Sequence, residues 1–72
     1  MVFDYSKLLG KIKEKGLTQE TLAKNIGITP GSMSEKLNNK ANFKQKEIFA
    51  ICREMDISIC EIGEYFFTQK VR

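Results

Sequence analysis

Apolar residues recur along this chain at helical spacing, in short bouts separated by capping and helix-ending residues. Tyr5, Leu8, Leu9 and Ile12 fall at i, i+3, i+4 and i+7, the inward stripe of a helix over about 5–15. Asp4 is placed to cap it, and Gly16 follows its lysine-rich last turn. A second helix starts after Thr18, buries Leu22, Ala23 and Ile26, and ends at Gly27. Thr29-Pro30 opens a third, with Met33 and Leu37 facing inward, and Asn38 to Asn42 read as a polar loop. A fourth, from about Gln45 to Met55, repeats the stripe with Ile48, Ile51, Cys52 and Met55, and Phe43 precedes it as a hydrophobic staple. Ser58 and Glu61 form a capping box for a short fifth helix with apolar Ile59 and Ile62. The ending, Tyr65 to Arg72, is aromatic and β-branched and is expected to be extended. Tyr65 and Phe66 are expected on the core, and Phe67 to Val71 in a contact between molecules, for instance a strand added across a two-fold axis.

The fold class predicted is therefore all-α, five compact helices over 1–66 with a tail over 67–72. Its most informative stretch is 18–37. Two short helices meet there across Ile26-Gly27-Ile28, with small Ala23 at the crossing and glycine in the turn, which is what a helix-turn-helix needs. Pro30 to Leu37 would form a rod of roughly 12 Å, about the width of a DNA major groove.

Charge sharpens this picture. The net charge of the 72 residues is only +3. Residues 1–46 carry nine lysines against four acids, whereas 47–64 carry Arg53 against five acids. Four lysines and no acid lie between Lys36 and Lys46. A basic front on a small domain points to a polyanion partner. Histidine is absent, which excludes His-containing zinc sites, and two cysteines make neither a disulfide framework nor a metal cluster. Cys52 and Cys60 are both expected in the core of a protein of a reducing cytoplasm. No signal peptide or membrane span is expected. With no histidine base, phosphate loop or nucleophile–base pair, an enzyme, a cofactor and a small-molecule substrate are not expected.

Thr18-Gln19, Leu22-Ala23, Gly27-Ile28-Thr29, Met33-Ser34 and Leu37-Asn38 carry a resemblance. On these, residues 6–55 resemble the DNA-binding domain of Cro and lambda-type phage repressors. The ending Glu61 to Phe67 is similar to that of short Cro-like proteins of temperate phages in Gram-positive bacteria. Length and ending together also resemble the modulator-of-repression type of phage protein, an antirepressor that binds the lysogeny repressor. The resemblance implies a lambda-repressor-like fold. It implies that Gln19 touches phosphate, that Pro30, Gly31, Ser32 and Glu35 face base edges with Ser34 and Lys36 beside them, and that Lys40, Asn42 and Lys44 touch phosphates. Glu20, Lys24 and Asn39 flank this surface, and Phe67 and Val71 are candidates for an oligomer or partner contact.

The sequence departs from that pattern at the reading positions. Pro30 and Gly31 have no side chain able to bond a base, and Glu35 repels phosphate although it can accept from cytosine. Two functions follow. The first is a regulator of a lysis–lysogeny switch that occupies operator DNA, a homodimer placing two recognition helices about 34 Å apart. The alternative is an antirepressor that masks the DNA-binding domain of a cognate phage repressor, with Glu20 and Glu35 pairing the repressor's basic groups.

Overall fold

The computed structural model describes residues 2–70. Among them lie five α-helices: α1 (Ser6–Glu14), α2 (Gln19–Ile26), α3 (Pro30–Leu37), α4 (Gln45–Met55) and α5 (Ile62–Phe66), the last entered through a 3₁₀ turn at Ile59–Glu61. The helix starts follow their capping residues. Thr18 Oγ1 accepts from the Thr21 N–H at 3.0 Å, and Thr29 Oγ1 from the Ser32 N–H at 3.1 Å. Pro30 follows at the first helical position, where no hydrogen bond is lost. At α1 the expectation shifts by one residue: the N-cap position is Tyr5, which has no side-chain cap. Asp4 before it accepts from both the backbone N–H and the hydroxyl of Ser6, which hold its carboxyl below the usual aspartate range.

The first four helices end in one way. A residue in left-handed conformation follows each, and the next N–H reaches back five residues: Leu17 to Ile12, Ile28 to Ala23, Lys40 to Glu35 and Ile57 to Cys52, all between 2.8 and 3.0 Å. Glycine fills the left-handed position after α1 and α2, at φ 73° and 83°. Asn39 and Asp56 fill it after α3 and α4, at φ 62° and 54°. Asn39 and Asp56 bear the steric penalty that glycine escapes, and each is held by a side-chain contact. Asp56 meets the Lys15 ammonium at 3.2 Å. Asn39 is described below.

The core joins Leu8 and Ile12 of α1, Leu22 and Ala23 of α2, Met33 and Leu37 of α3, Ile51, Cys52 and Met55 of α4, and Tyr65 and Phe66 of α5. Two sequence expectations fail here, those for Leu9 and Cys60. Leu9 is more than a third exposed, because α1 has few neighbours on that side, and its inward stripe is Tyr5, Leu8 and Ile12. Cys60 is exposed and only Cys52 is buried, where burial pushes its thiol pKa up. Ile59 also stands out in solvent, since the 3₁₀ turn aims its side chains away from the core.

The aromatic ending packs as a relay of rings. Phe3 meets Phe67, Tyr5 meets Phe43 and Phe43 meets Phe66, each edge to face with centroids 5.5 to 5.8 Å apart. Lys7 of α1 pairs with Glu64 of α5 and lies 5.0 Å from the centre of the Tyr65 ring.

Tyr65 and Phe66, expected in an extended ending, are instead the last turn of α5. Only beyond Phe67 does the chain run alongside a partner, and that partner is the chain's own beginning. Phe3 and Gln69 form an antiparallel bridge, framed by Asp4 N–H to Thr68 O at 2.7 Å and Lys70 N–H to Val2 O at 2.9 Å. The Thr68 carbonyl and the Lys70 N–H are thus bonded within the molecule, along one edge of the tail. Phe67 remains half exposed, and Val71 lies outside the described residues. On its other edge Phe3 meets Asn39. The Phe3 N–H donates to Asn39 Oδ1 at 2.8 Å, and Asn39 Nδ2 donates to Phe3 O at 3.0 Å. One side-chain amide therefore takes the place of a third strand.

Asn39→Ala is expected to destabilise the protein by about 2–3 kcal/mol, losing two hydrogen bonds and forcing alanine left-handed. Asn39→Gly keeps the backbone at ease and should cost about 1 kcal/mol less; equal urea midpoints for the two variants would refute this division. Gly10 lies mid-helix in α1, exposed, with nothing within 4 Å of an added Cβ. Gly10→Ala should therefore stabilise by about 0.5–1 kcal/mol, read as a rise of a few degrees in the thermal midpoint.

Candidate interaction surface around the third helix

The α3 helix starts with Thr29, whose backbone is extended at ψ 154°, so the chain turns sharply out of α2 and sends α3 across it. Ile26 and Ile28 are half-buried in the angle, and Met33 is fully buried beneath. With Met33, Lys36 and Leu37 turned inward, helical spacing leaves Gly31, Ser34, Glu35 and Asn38 along one outward stripe. All four are exposed, as is Pro30, while Ser32 is half-buried. Asn38 folds back on the stripe, donating to the Ser34 carbonyl at 2.8 Å. The projecting face is therefore narrow and low: a glycine, a serine and one carboxylate.

Lys36 is not on that face. Its ammonium lies between both carboxylate oxygens of Glu47, at 2.7 and 2.6 Å, and the side chains of the pair are 7% and 11% exposed. The expectation that Lys36 stands beside the reading residues is thus corrected. Lys36 falls one turn from Met33 and next to Leu37, on the buried side, and its charge is met by an acid from α4. Glu47 occupies the third position of α4, where the helix field favours an anion, and its Oε1 also accepts from the Lys44 N–H at 2.8 Å. Burial pushes the Glu47 pKa up. The Lys36 hydrogen bonds, the Lys44 N–H and the two lysine charges pull it down harder, so it lies below the usual glutamate value.

Asn39 also leaves the proposed surface, since both ends of its amide are engaged by Phe3. The other flanking positions are exposed: Gln19, Glu20 and Lys24 on α2, and Lys40, Asn42 and Lys44 on the loop and the start of α4. Lys24, Lys40, Lys44 and Lys46 enter no ion pair among the described residues. Lys44 and Lys46 border a shallow groove with Ile26, Gly27 and Ile28, at whose edge Glu47 sits. The sequence reading missed Glu47. The signal was there: an acid at the third position of a helix, after a lysine that shares the helical face of Met33 and Leu37.

Among the described residues no cluster of histidine, cysteine or acidic side chains is placed to hold a metal ion, and no helix is long and apolar enough to cross a membrane.

A family model described as protein of unknown function (DUF739) matches residues 1–69. The chain belongs to this family. Among solved structures it is similar to the solution structure of the modulator of repression (MOR) of the temperate bacteriophage TP901-1 from Lactococcus lactis. The two are 40% identical, the match covers 100% of this chain and 97% of that one, and the TM-score is 0.79. No curated protein is detectably similar in sequence. At that identity and coverage the five-helix fold is shared with a phage modulator of repression. This similarity bears on the modulator-of-repression resemblance.

The ion pair gives this DUF739 member a definite acid response. A carboxyl whose folded pKa is lowered contributes stability that is fully present above its unfolded value, near pH 4.3, and lost as pH falls through the folded value. Glu47→Gln should therefore lessen the loss of stability between about pH 5 and 3, and an unchanged acid-unfolding profile would refute it. At neutral pH, Lys36→Met strands the carboxylate and should cost about 3 kcal/mol or more in a urea titration, whereas Lys36→Met combined with Glu47→Leu should restore most of that loss.

Proposed function

We propose that this chain is an antirepressor of the modulator-of-repression type, acting in the cytoplasm of a bacterial host. It docks the outward face of α3 on the DNA-binding domain of a cognate phage repressor and so alters operator occupancy. The observation that carries this reading is that the outward face of α3 has no cation. Its one formal charge is Glu35, and the helix's lysine is bonded inside to Glu47. Such a face is poorly suited to phosphate and well suited to the arginines and lysines with which a repressor reads DNA. The short side chains of Gly31 and Ser34 let a partner's backbone approach closely, and Glu20 on α2 supplies a second exposed acid. The full-length similarity to a phage modulator of repression supports the same reading.

A second reading, contact with operator DNA by this chain itself, draws on Lys24, Lys40 and Lys44, exposed and outside the ion pairs among the described residues. In that case the lysines hold phosphate alongside a bound repressor, or two copies of the chain span successive grooves, and affinity falls steeply with salt.

The test is binding to a cognate phage repressor. Calorimetry should show a 1:1 complex, and Glu35→Lys should weaken it by about 2 kcal/mol, or roughly 30-fold in Kd. Absence of a complex with the unaltered chain would end the antirepressor reading. Full affinity in Glu35→Lys would move the contact away from α3.

A further inference from the structure

We infer that the Lys36–Glu47 pair is a specificity device, which keeps duplex DNA off α3 by holding the only cation of that helix in the interior. Lys36 is the sole basic residue of α3. Its ammonium takes both carboxylate oxygens of Glu47, and Glu47 is fixed in turn by the Lys44 N–H and by its place in the first turn of α4. No other acid of the described chain bonds Lys36, so the compensation depends on this one carboxylate. A lysine stem is long enough to carry its charge to the surface when nothing holds it. Here it is held, and what projects is Gly31, Ser34, Glu35 and Asn38.

The surroundings make this withdrawal consequential. Lys24, Lys40, Lys44 and Lys46 are exposed and stand outside the ion pairs of the described residues, so the neighbourhood of α3 is basic. A cation on the helix itself would complete a surface that phosphate could follow. With Lys36 neutralised and Glu35 displayed, the centre of that surface instead repels phosphate. The acid and the withdrawn lysine therefore act together to separate a basic protein partner from nucleic acid, a use of repulsion as well as attraction.

The inference rests on α3 being the contact face. Its assay needs no repressor, so its failure stands apart from failure of the antirepressor reading. Three variants each raise the net charge by one: Glu47→Gln, which leaves Lys36 uncompensated; Ser34→Lys, which places a cation on the outward stripe with the pair intact; and Glu54→Gln, an exposed acid on α4 seven residues beyond Glu47, about 10 Å along the helix. That separation is about one Debye length at 0.1 M salt. Binding to a fluorescent random-sequence duplex is measured by anisotropy from 50 to 200 mM salt, with circular dichroism to establish folding.

Glu47→Gln and Ser34→Lys should each bind about tenfold more tightly than the unaltered chain at 50 mM salt, with a salt slope steeper by about 1, as for one added phosphate contact. Glu54→Gln should gain no more than about threefold. If folded Glu47→Gln binds no better than Glu54→Gln, the pair withholds no cation from DNA and the inference is overturned. If Ser34→Lys gains nothing over Glu54→Gln, only net charge matters and it is overturned as well. Should Glu47→Gln fail to fold, Ser34→Lys against Glu54→Gln decides alone.

Discussion

An eight-residue helix has no stability of its own in water, so whatever α3 presents is set by what grips its back. Three kinds of grip meet there. Met33 and Leu37 are buried in the shared core, Lys36 is locked to Glu47, and Asn39 is bonded to the N-terminal segment at Phe3. The ion pair differs from the other two in kind. Apolar burial and a neutral amide would hold many sequences in much the same way. A buried charge pair demands one partner at one place, and it leaves an unpaired charge when either member is removed. It therefore fixes which side of α3 faces out as well as how firmly α3 is held.

That constraint explains why the surface of this chain and its overall charge point in different directions. The amino-terminal two thirds are basic by count. Count places all those lysines on one surface, but helical geometry separates them. Lys7 is drawn to Glu64, Lys15 to Asp56 and Lys36 to Glu47, so three of the nine are spent on the acids of the carboxy-terminal third. The polarised charge pattern is thus in part the pattern of tertiary attachment. What remains exposed is Lys24, Lys40, Lys44 and Lys46 on the elements that flank α3, and Glu35 on α3 itself.

Much of the fold was legible from residues with one strong local reason to be where they are. Thr18, Thr29 and Ser58 cap because a hydroxyl satisfies a free N–H, and Gly16 and Gly27 end helices because they turn left-handed without strain. The limits of α4 follow from its stripe of Ile51, Cys52 and Met55. The residues misread are those whose place depends on a distant partner. Lys36 reads as a surface lysine until Glu47 is brought to it. Asn39 reads as loop until Phe3 arrives, 36 positions away. Cys60 reads as core because apolar neighbours surround it in the sequence, yet a single 3₁₀ turn has no buried face to give it. The exposed stripe of α3 was legible in part, since Gly31, Ser34 and Glu35 follow from the helical period once Met33 and Leu37 are inside.

The tail shows how the same reasoning bears on assembly. An extended, apolar ending offers unpaired N–H and C=O groups, and a second molecule is one way to satisfy them. Here the amino-terminal segment gets there first. Thr68 and Lys70 bond Asp4 and Val2 on one edge, and Asn39 closes the other edge of Phe3. Phe3 is therefore bonded on both sides, and pairing with another chain along that segment would require breaking bonds made at no cost in association entropy. Because Asn39 belongs to the turn that ends α3, the same contacts tie both termini to that helix. The tail thus works as a brace for the projecting face, and its aromatic residues join the relay that runs from Phe67 through Phe3, Tyr5 and Phe43 to Phe66.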